Sequence, residues 1–420
     1  MRTQTASREA IAIIGMGCRF AKADGNGQFW DNLRSGHDAM SRDPGLDTEG
    51  DTRRIGAWGL MPDRLRFDHR IAGFTTPPTG HDPQHGLLFE SLWAAAEDAG
   101  VRLSEVGHAT ALYAGCARTR HVERAAFEEV ANRDATFSGP HFSYFQNLQR
   151  ESVMLDASCA TGLVAIHMAS QSLRLGACDY ALAGGVAVME TEGYYDYTPN
   201  GIYSSEGVCR PFDISSTGTV PGDGVGAVLL RRLDDALRDG DPIHAVIRAS
   251  AVGNDGSSKA GFLIPGIPGK IRVVRQALAQ VGLTGADLSY VEAHGVGIPL
   301  NDQIEATALT EALGPNGQPL AIGSVKASVG HTDTAAGFAA LIKTVLALKH
   351  RFLPATPNAR EPIEELIKGG ERFSILPEGR TWAAVDGPRR AGVMSAGIGG
   401  TNAFAILEEF PDAAFSSATA

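Results

Sequence analysis

Three side chains, far apart along the chain, could do chemistry together: Cys159, His294 and His331. The residues 152–156 read as a strand and 160–175 as a helix, so Cys159 stands where one meets the other. A thiol there faces unpaired N–H groups and the positive end of the helix dipole, which predicts a lowered pKa and a ready thiolate. The sharp turn exposes the sulfur and lets an adjacent backbone N–H point at an oxyanion. His294 lies in V-E-A-H-G-V-G-I-P-L-N-D (291–302), between glycine-rich turns and after a short strand that starts at Leu288. It reads as a loop residue exposed to whatever the loop faces. His331 lies in K-A-S-V-G-H-T-D (326–333), again at a strand-to-helix passage, where the helix terminus disfavours imidazolium and keeps the ring neutral. Each residue alone is more often structural, but together they fit a thiol nucleophile with two polarising imidazoles.

The elements that must position these groups alternate. Strand-like apolar runs fall at 11–15, 109–115, 152–156, 180–189, 225–230, 244–252, 320–325, 389–395 and 403–408. Helical spacing marks 87–100, 160–175, 269–282, 302–313 and 334–349. Such alternation predicts α/β layers. Two segments, 153–170 and 323–343, both run strand, small-residue turn, then a helix rich in Ala and Gly, small enough to sit between two sheets. The chain therefore reads as two α/β halves, 1–255 carrying Cys159 and 256–411 carrying His294, Lys326 and His331, with a frayed tail at 412–420. Chance similarity of two such units is the alternative.

The 420 residues are 43% hydrophobic and 20% charged, an ordinary globular composition. A net charge of −11 argues against nucleic acid or an anionic membrane as a partner bound through overall charge. No apolar run is long enough to span a membrane, and 11–18 is too short for a signal peptide. The five cysteines, Cys18, Cys116, Cys159, Cys178 and Cys209, show no C-x-x-C pair. That pattern fits no zinc ribbon or disulfide framework and suits a reducing cytoplasm.

Ordered along the chain are I-A-I-I-G-M-G-C-R-F (11–20), D-P-Q-H-G-L-L-F-E-S-L-W-A-A-A-E-D-A-G (82–100), D-A-S-C-A-T-G-L (156–163), C-R-P-F-D (209–213), the His294 and His331 segments, and G-I-G-G-T-N-A-F (397–404). This series resembles the β-ketoacyl synthases, specifically the ketosynthases of modular polyketide synthases, over nearly the whole chain. The resemblance implies a thiolase-like fold of duplicated halves in a five-layer αβαβα sandwich, and a homodimer. It implies that Cys159 is acylated, and that His294 and His331 assist decarboxylation of a malonyl-type extender and stabilise the enolate. Lys326 would give electrostatic support, paired with Glu305, and the backbone N–H groups of Cys159 and Ile398 would form the oxyanion hole. No metal and no bound cofactor are implied, since phosphopantetheine arrives on an acyl carrier protein.

Departures from the family pattern concentrate near the substrate. The usual H-G-T-G-T reads His294-Gly295-Val296-Gly297-Ile298, so two hydroxyls that typically meet the pantetheine arm are missing. Ala396 and Ile398 replace two phenylalanines of the acyl gate, and Ser328 replaces an asparagine beside Lys326. The expected function is a free-standing ketosynthase served by an acyltransferase in trans. The alternatives are a non-elongating acyltransferase to another carrier, an amine or a hydroxyl, and a non-catalytic binding partner.

Other features have plainer readings. Gly15 to Phe20 lacks the third glycine of a dinucleotide fingerprint and reads as a strand-to-loop turn. His81 and His85 could pair on a metal, but Asp82-Pro83 reads as a helix cap with no third ligand. The residues 123–130 read as a solvated helix face, and His167 as a packed core histidine.

Overall fold

The computed structural model describes residues 10–48, 53–71, 82–118, 134–188, 193–383 and 387–411. His81, the run 123–130, the end of the 180–189 run and the tail 412–420 lie outside them. Eleven strands form the frame: β1 Ile11–Phe20, β2 Thr110–Cys116, β3 Ser152–Met154, β4 Tyr180–Ala187, β5 Gly224–Arg232, β6 Ala245–Asn254, β7 Tyr290–Glu292, β8 Leu320–Gly323, β9 Phe373–Ile375, β10 Arg390–Ala396 and β11 Thr401–Glu408. They pair in the order β9-β8-β7-β10-β11-β6-β1-β5-β4-β2-β3, and Ala23–Asp24 adds a twelfth strand against β1. From β1 outward, neighbours pair antiparallel, antiparallel, parallel, parallel (β5, β4, β2, β3). From β6 outward the same sequence recurs through β11, β10, β7 and β8, with β9 added. The two sets join where Ile11 faces Ile247. Strand β6 precedes residue 256, yet it takes in the second set the place that β1 takes in the first.

The helices make the remaining layers. Helix α1, Pro83–Asp98, covers the outer face of the first set, and α3, Ile267–Gln280, with α4, Pro299–Leu313, covers that of the second. Between the sheets lie α2, Thr161–Leu175, and α6, Ala336–His350, the latter buried along nearly its whole length. Their contact depends on two glycines. A Cβ on Gly162 would stand 2.9 Å from the Gly337 Cα, and one on Gly337 would stand 2.7 Å from the Leu163 N. The small-residue turns of the two repeated segments are thus where the central helices meet. The five layers follow the expected αβαβα order.

Strand β1 runs on through Phe20, which corrects the reading of 15–20 as a strand-to-loop turn. Gly15 and Gly17 are not turn residues. They let α1 approach, since a Cβ at Gly15 would fall 2.0 Å from the Ala95 O. Helix α1 begins as expected, with Pro83 at its first position and Asp82 Oδ1 accepting the Gln84 N–H at 2.9 Å. His167 is half-buried and places Nδ1 2.9 Å from Ser250 Oγ.

Candidate active site

Cys159 is carried on a tight, strained turn between β3 and α2. Ser158 has φ 52°, in the left-handed region. The turn is tied by Ser158 N–H to Asp156 Oδ1 (2.8 Å), Ala157 N–H to Thr161 Oγ1 (2.8 Å), and Ser395 Oγ donating to the Cys159 carbonyl (2.8 Å). Gly397 crosses above it, where a Cβ would lie 2.2 Å from the Ala157 O. Of the five cysteines Cys159 is half-buried and the other four are buried.

Against the sequence expectation, the Cys159 thiol is pushed up, to about 12. Desolvation comes first, then the Asp333 carboxylate, and the lowering by Lys326 and the cysteine's own N–H does not overcome them. The turn is more enclosed than a bare helix end, and there desolvation outweighs the pull of the helix dipole. Access still separates the five thiols. Brief iodoacetamide treatment is expected to label Cys159 alone on peptide mapping, and equal labelling of Cys18, Cys116, Cys178 and Cys209 would refute it.

His294 is buried, not exposed in its loop, because α4 clamps the loop's backbone. Glu305 accepts the N–H groups of His294 (2.7 Å) and Gly295 (2.8 Å). Asp302, one turn earlier, accepts those of Val296 and Gly297, both at 3.0 Å, and that of Phe212 at 2.8 Å. Two carboxylates at i and i+3 on one helix face thereby fix four consecutive amides. Gly295 (φ 33°) and Gly297 (φ 74°) give the loop the curvature that lets those amides converge. Burial, with the Glu305 carboxylate behind it, raises the Asp302 carboxyl to about 7 against the lowering by its three N–H donors.

Lys326 opens α5, the short helix Lys326–Val329, and is fully buried. Its Nζ donates to the His294 carbonyl at 2.6 Å. This corrects the expected ion pair with Glu305: both Glu305 oxygens serve the His294–Gly295 amides, and Glu305 reaches Lys326 only as a charge that favours ammonium. Ser328 is buried on α5, its carbonyl accepting the Ala39 N–H at 2.9 Å, and is not on the cavity wall.

His331 lies edge-on to His294, ring centroids 5.8 Å apart at 85°. Both rings are held neutral. Burial, then Lys326 and His331, pushes His294 well below the usual imidazole range. Burial, then Lys326, lowers His331 to about 3. The expected neutrality of His331 holds, though from burial and a buried ammonium more than from a helix terminus. The Asp333 backbone N–H donates to His331 Nδ1 at 3.0 Å, so the ring's own proton sits on Nε2.

Cys159, His294, His331 and Glu305 line one cavity of about 150 Å³ together with Val296, Ile298, Ala396 and Ile398. The structure thus brings together every residue expected at the thiol and along the acyl channel, with Lys326 immediately behind His294. The backbone N–H of Ile398 has no acceptor among the described residues, and that of Cys159 bears on its own sulfur. Exposed Ile202, Phe262, Leu263 and Ile398 surround the opening with apolar surface. Sequence reasoning missed two groups. Lys270, fully buried on α3, also lines the cavity and donates to Asn402 Oδ1 at 3.2 Å. Asp333, two residues beyond His331, receives the Cys159 Sγ at 3.8 Å. Its place in G-H-T-D was the available clue.

A strained thiol turn facing two neutral histidines across a duplicated α/β sandwich defines a condensing-enzyme type of site. Family models agree: residues 8–236 match the beta-ketoacyl synthase N-terminal domain and 244–360 the C-terminal domain. The chain belongs to the β-ketoacyl synthase family, with the ketosynthases of polyketide synthases. Polyketide synthase GfsE of Streptomyces halstedii is 40% identical over 97% of the chain, which spans 11% of that relative. The Spectinabilin polyketide synthase system protein NorA of Streptomyces orinoci is 39% identical over 97%, the chain spanning 23% of it. The chain therefore covers a minor part of these much longer relatives. Ketosynthase twelve of the bacillaene polyketide synthase of Bacillus amyloliquefaciens superposes with a TM-score of 0.90 at 31% identity, over 96% of this chain and 74% of that one.

Proposed function

We propose that the chain is a ketosynthase that takes an acyl group onto Cys159 and extends it with a carrier-bound malonyl-type unit by decarboxylative Claisen condensation. The observation that supports this most is the single cavity holding the thiol and two neutral imidazoles. In the first half-reaction the Cys159 sulfur attacks the acyl thioester carbonyl, and the N–H groups of Cys159 and Ile398 receive the oxyanion. The pantetheine thiol departs and the acyl chain remains on sulfur. In the second half-reaction the extender loses carbon dioxide, and His294 and His331 donate to the developing enolate oxygen. The enolate carbon then attacks the Cys159 thioester, giving a β-ketoacyl carrier and expelling the Cys159 thiolate, which takes a proton from solvent to regenerate the thiol. Lys326 holds the His294 backbone and, behind burial, helps keep both rings neutral.

The partners in this reading are an acyl carrier protein, whose phosphopantetheine belongs to the substrate, an acyltransferase acting in trans, and a second copy of the chain as a homodimer, all in the cytoplasm. Intact-mass spectrometry of protein and carrier tests it: an acyl adduct on Cys159, then a β-ketoacyl carrier only when malonyl-loaded carrier is added. A second reading, transfer without elongation, draws support from Val296 and Ile298, which present hydrocarbon to the cavity where the family has hydroxyls. Two missing hydrogen bonds at ~0.5–1.5 kcal/mol each weaken pantetheine capture by roughly 1–3 kcal/mol. Val296→Thr with Ile298→Thr is accordingly expected to lower the carrier's apparent KM about tenfold, the equivalent of ~1.4 kcal/mol. An unchanged KM would favour a different acceptor.

A further inference from the structure

The thiol that must react is the one whose ionisation the site opposes, and one residue touches both it and the histidine opposite. Asp333 places Oδ1 3.8 Å from Cys159 Sγ while its backbone N–H holds His331 Nδ1 at 3.0 Å. It does so with φ 42°, a strained conformation for an aspartate. The turn is pinned on both sides, by Ala335 N–H to the Thr332 carbonyl (2.9 Å) and Thr334 Oγ1 to the Val186 carbonyl (2.6 Å). The carboxyl is therefore held at the sulfur.

We propose that Asp333 is the general base of Cys159 acylation, a catalytic residue in direct contact with the reacting sulfur. As the S–C bond to the acyl carbonyl forms, the thiol proton passes to the Asp333 carboxylate. As the tetrahedral intermediate collapses and the carbonyl-to-pantetheine C–S bond breaks, Asp333 returns that proton to the departing thiolate. The proton is conserved and the carboxylate is regenerated. This removes the need for a standing thiolate, which burial and the carboxylate itself suppress. Burial, then Asp156, also lifts the Asp333 carboxyl above the usual carboxylate range, opposed by Cys159 and Arg118, which makes it a better proton acceptor. The other groups facing the pair are Lys326, His331 and Tyr203. His331 stays neutral and engages Asp333 through its Nδ1, leaving the carboxylate as the group placed to take the proton.

The inference rests on the ketosynthase reading, and its test separates the two. Self-acylation from an acyl-N-acetylcysteamine thioester is followed by intact mass between pH 6 and 9, in wild type, Asp333→Asn and Asp333→Glu, with melting temperatures as the folding control. Asp333→Asn is expected to acylate about 10²-fold more slowly at pH 7. Its rate should then climb nearly tenfold per pH unit, as a thiol that must ionise unaided requires, while wild type climbs far less. Asp333→Glu should recover part of the rate. If Asp333 is instead only a brake on ionisation, Asp333→Asn acylates as fast as wild type or faster at pH 7. That result, or a loss equal at every pH, overturns the inference alone. Wild type that accepts no acyl group from any thioester overturns the ketosynthase reading and the inference together.

Discussion

Cys159→Ala is expected to accept no acyl group at all, whereas His294→Ala and His331→Ala lose β-ketoacyl product by a factor of about 10² or more, the scale of removing one oxyanion-type donor. Acylation needs the sulfur, a proton acceptor and a place for the oxyanion, and Cys159 and Ile398, both on the wall of the cavity, bring their backbone N–H groups to supply that place. Decarboxylation needs neutral donors at the enolate oxygen, and the two imidazoles, set edge to face at 5.8 Å, are kept neutral by burial and by Lys326. At least one histidine variant should therefore still acylate. Because His331 Nδ1 takes the Asp333 amide, only Nε2–H is free to donate, and His331→Gln keeps a donor that His331→Ala lacks. Carbon dioxide release from labelled malonyl carrier, followed beside acyl transfer, separates the half-reactions. Wild type that acylates but never releases carbon dioxide with any malonyl-type carrier would refute elongation and favour transfer.

The sequence carried what depends on order and spacing. The repeated strand–turn–helix segments marked the two helices that meet through Gly162 and Gly337, and small residues in register are visible without coordinates. Cys159, His294 and His331 were legible as types at strand ends, and the fold brings them to one cavity. What stayed hidden depends on burial, which no local pattern encodes. The Cys159 thiol looked like a helix-terminal thiolate until enclosure and Asp333 were counted. The resemblance implied Glu305 as the partner of Lys326, while the four loop amides that Glu305 and Asp302 hold depend on how the loop folds over α4, which no sequence pattern shows. Lys343 offered no clue in an apolar helix.

Lys343 carries the largest expected effect on stability. It lies on α6 with no exposed surface, 2.8 Å from Glu292 on β7, which is equally buried. Glu292 also accepts from Tyr290 OH on Oε2 and from the Val325 N–H on Oε1, each at 2.5 Å. The carboxylate thus ties the central helix to the strand before His294 and to the turn that launches Lys326. Lys343→Met fills the volume but leaves a buried carboxylate without its cation, and breaking such a pair costs about 3–5 kcal/mol. For a chain of this size the melting temperature should fall by roughly 5–10 °C. The double variant Lys343→Met with Glu292→Gln keeps an amide oxygen to accept the Val325 N–H, lets its NH2 donate to the Tyr290 hydroxyl oxygen, and removes the stranded charge, so it should recover most of the loss. Denaturant unfolding of the two variants against wild type measures this directly. If Lys343→Met stays within about 1 kcal/mol of wild type, water or another cation reaches Glu292, and the pair does not anchor the helix that carries the histidine turn.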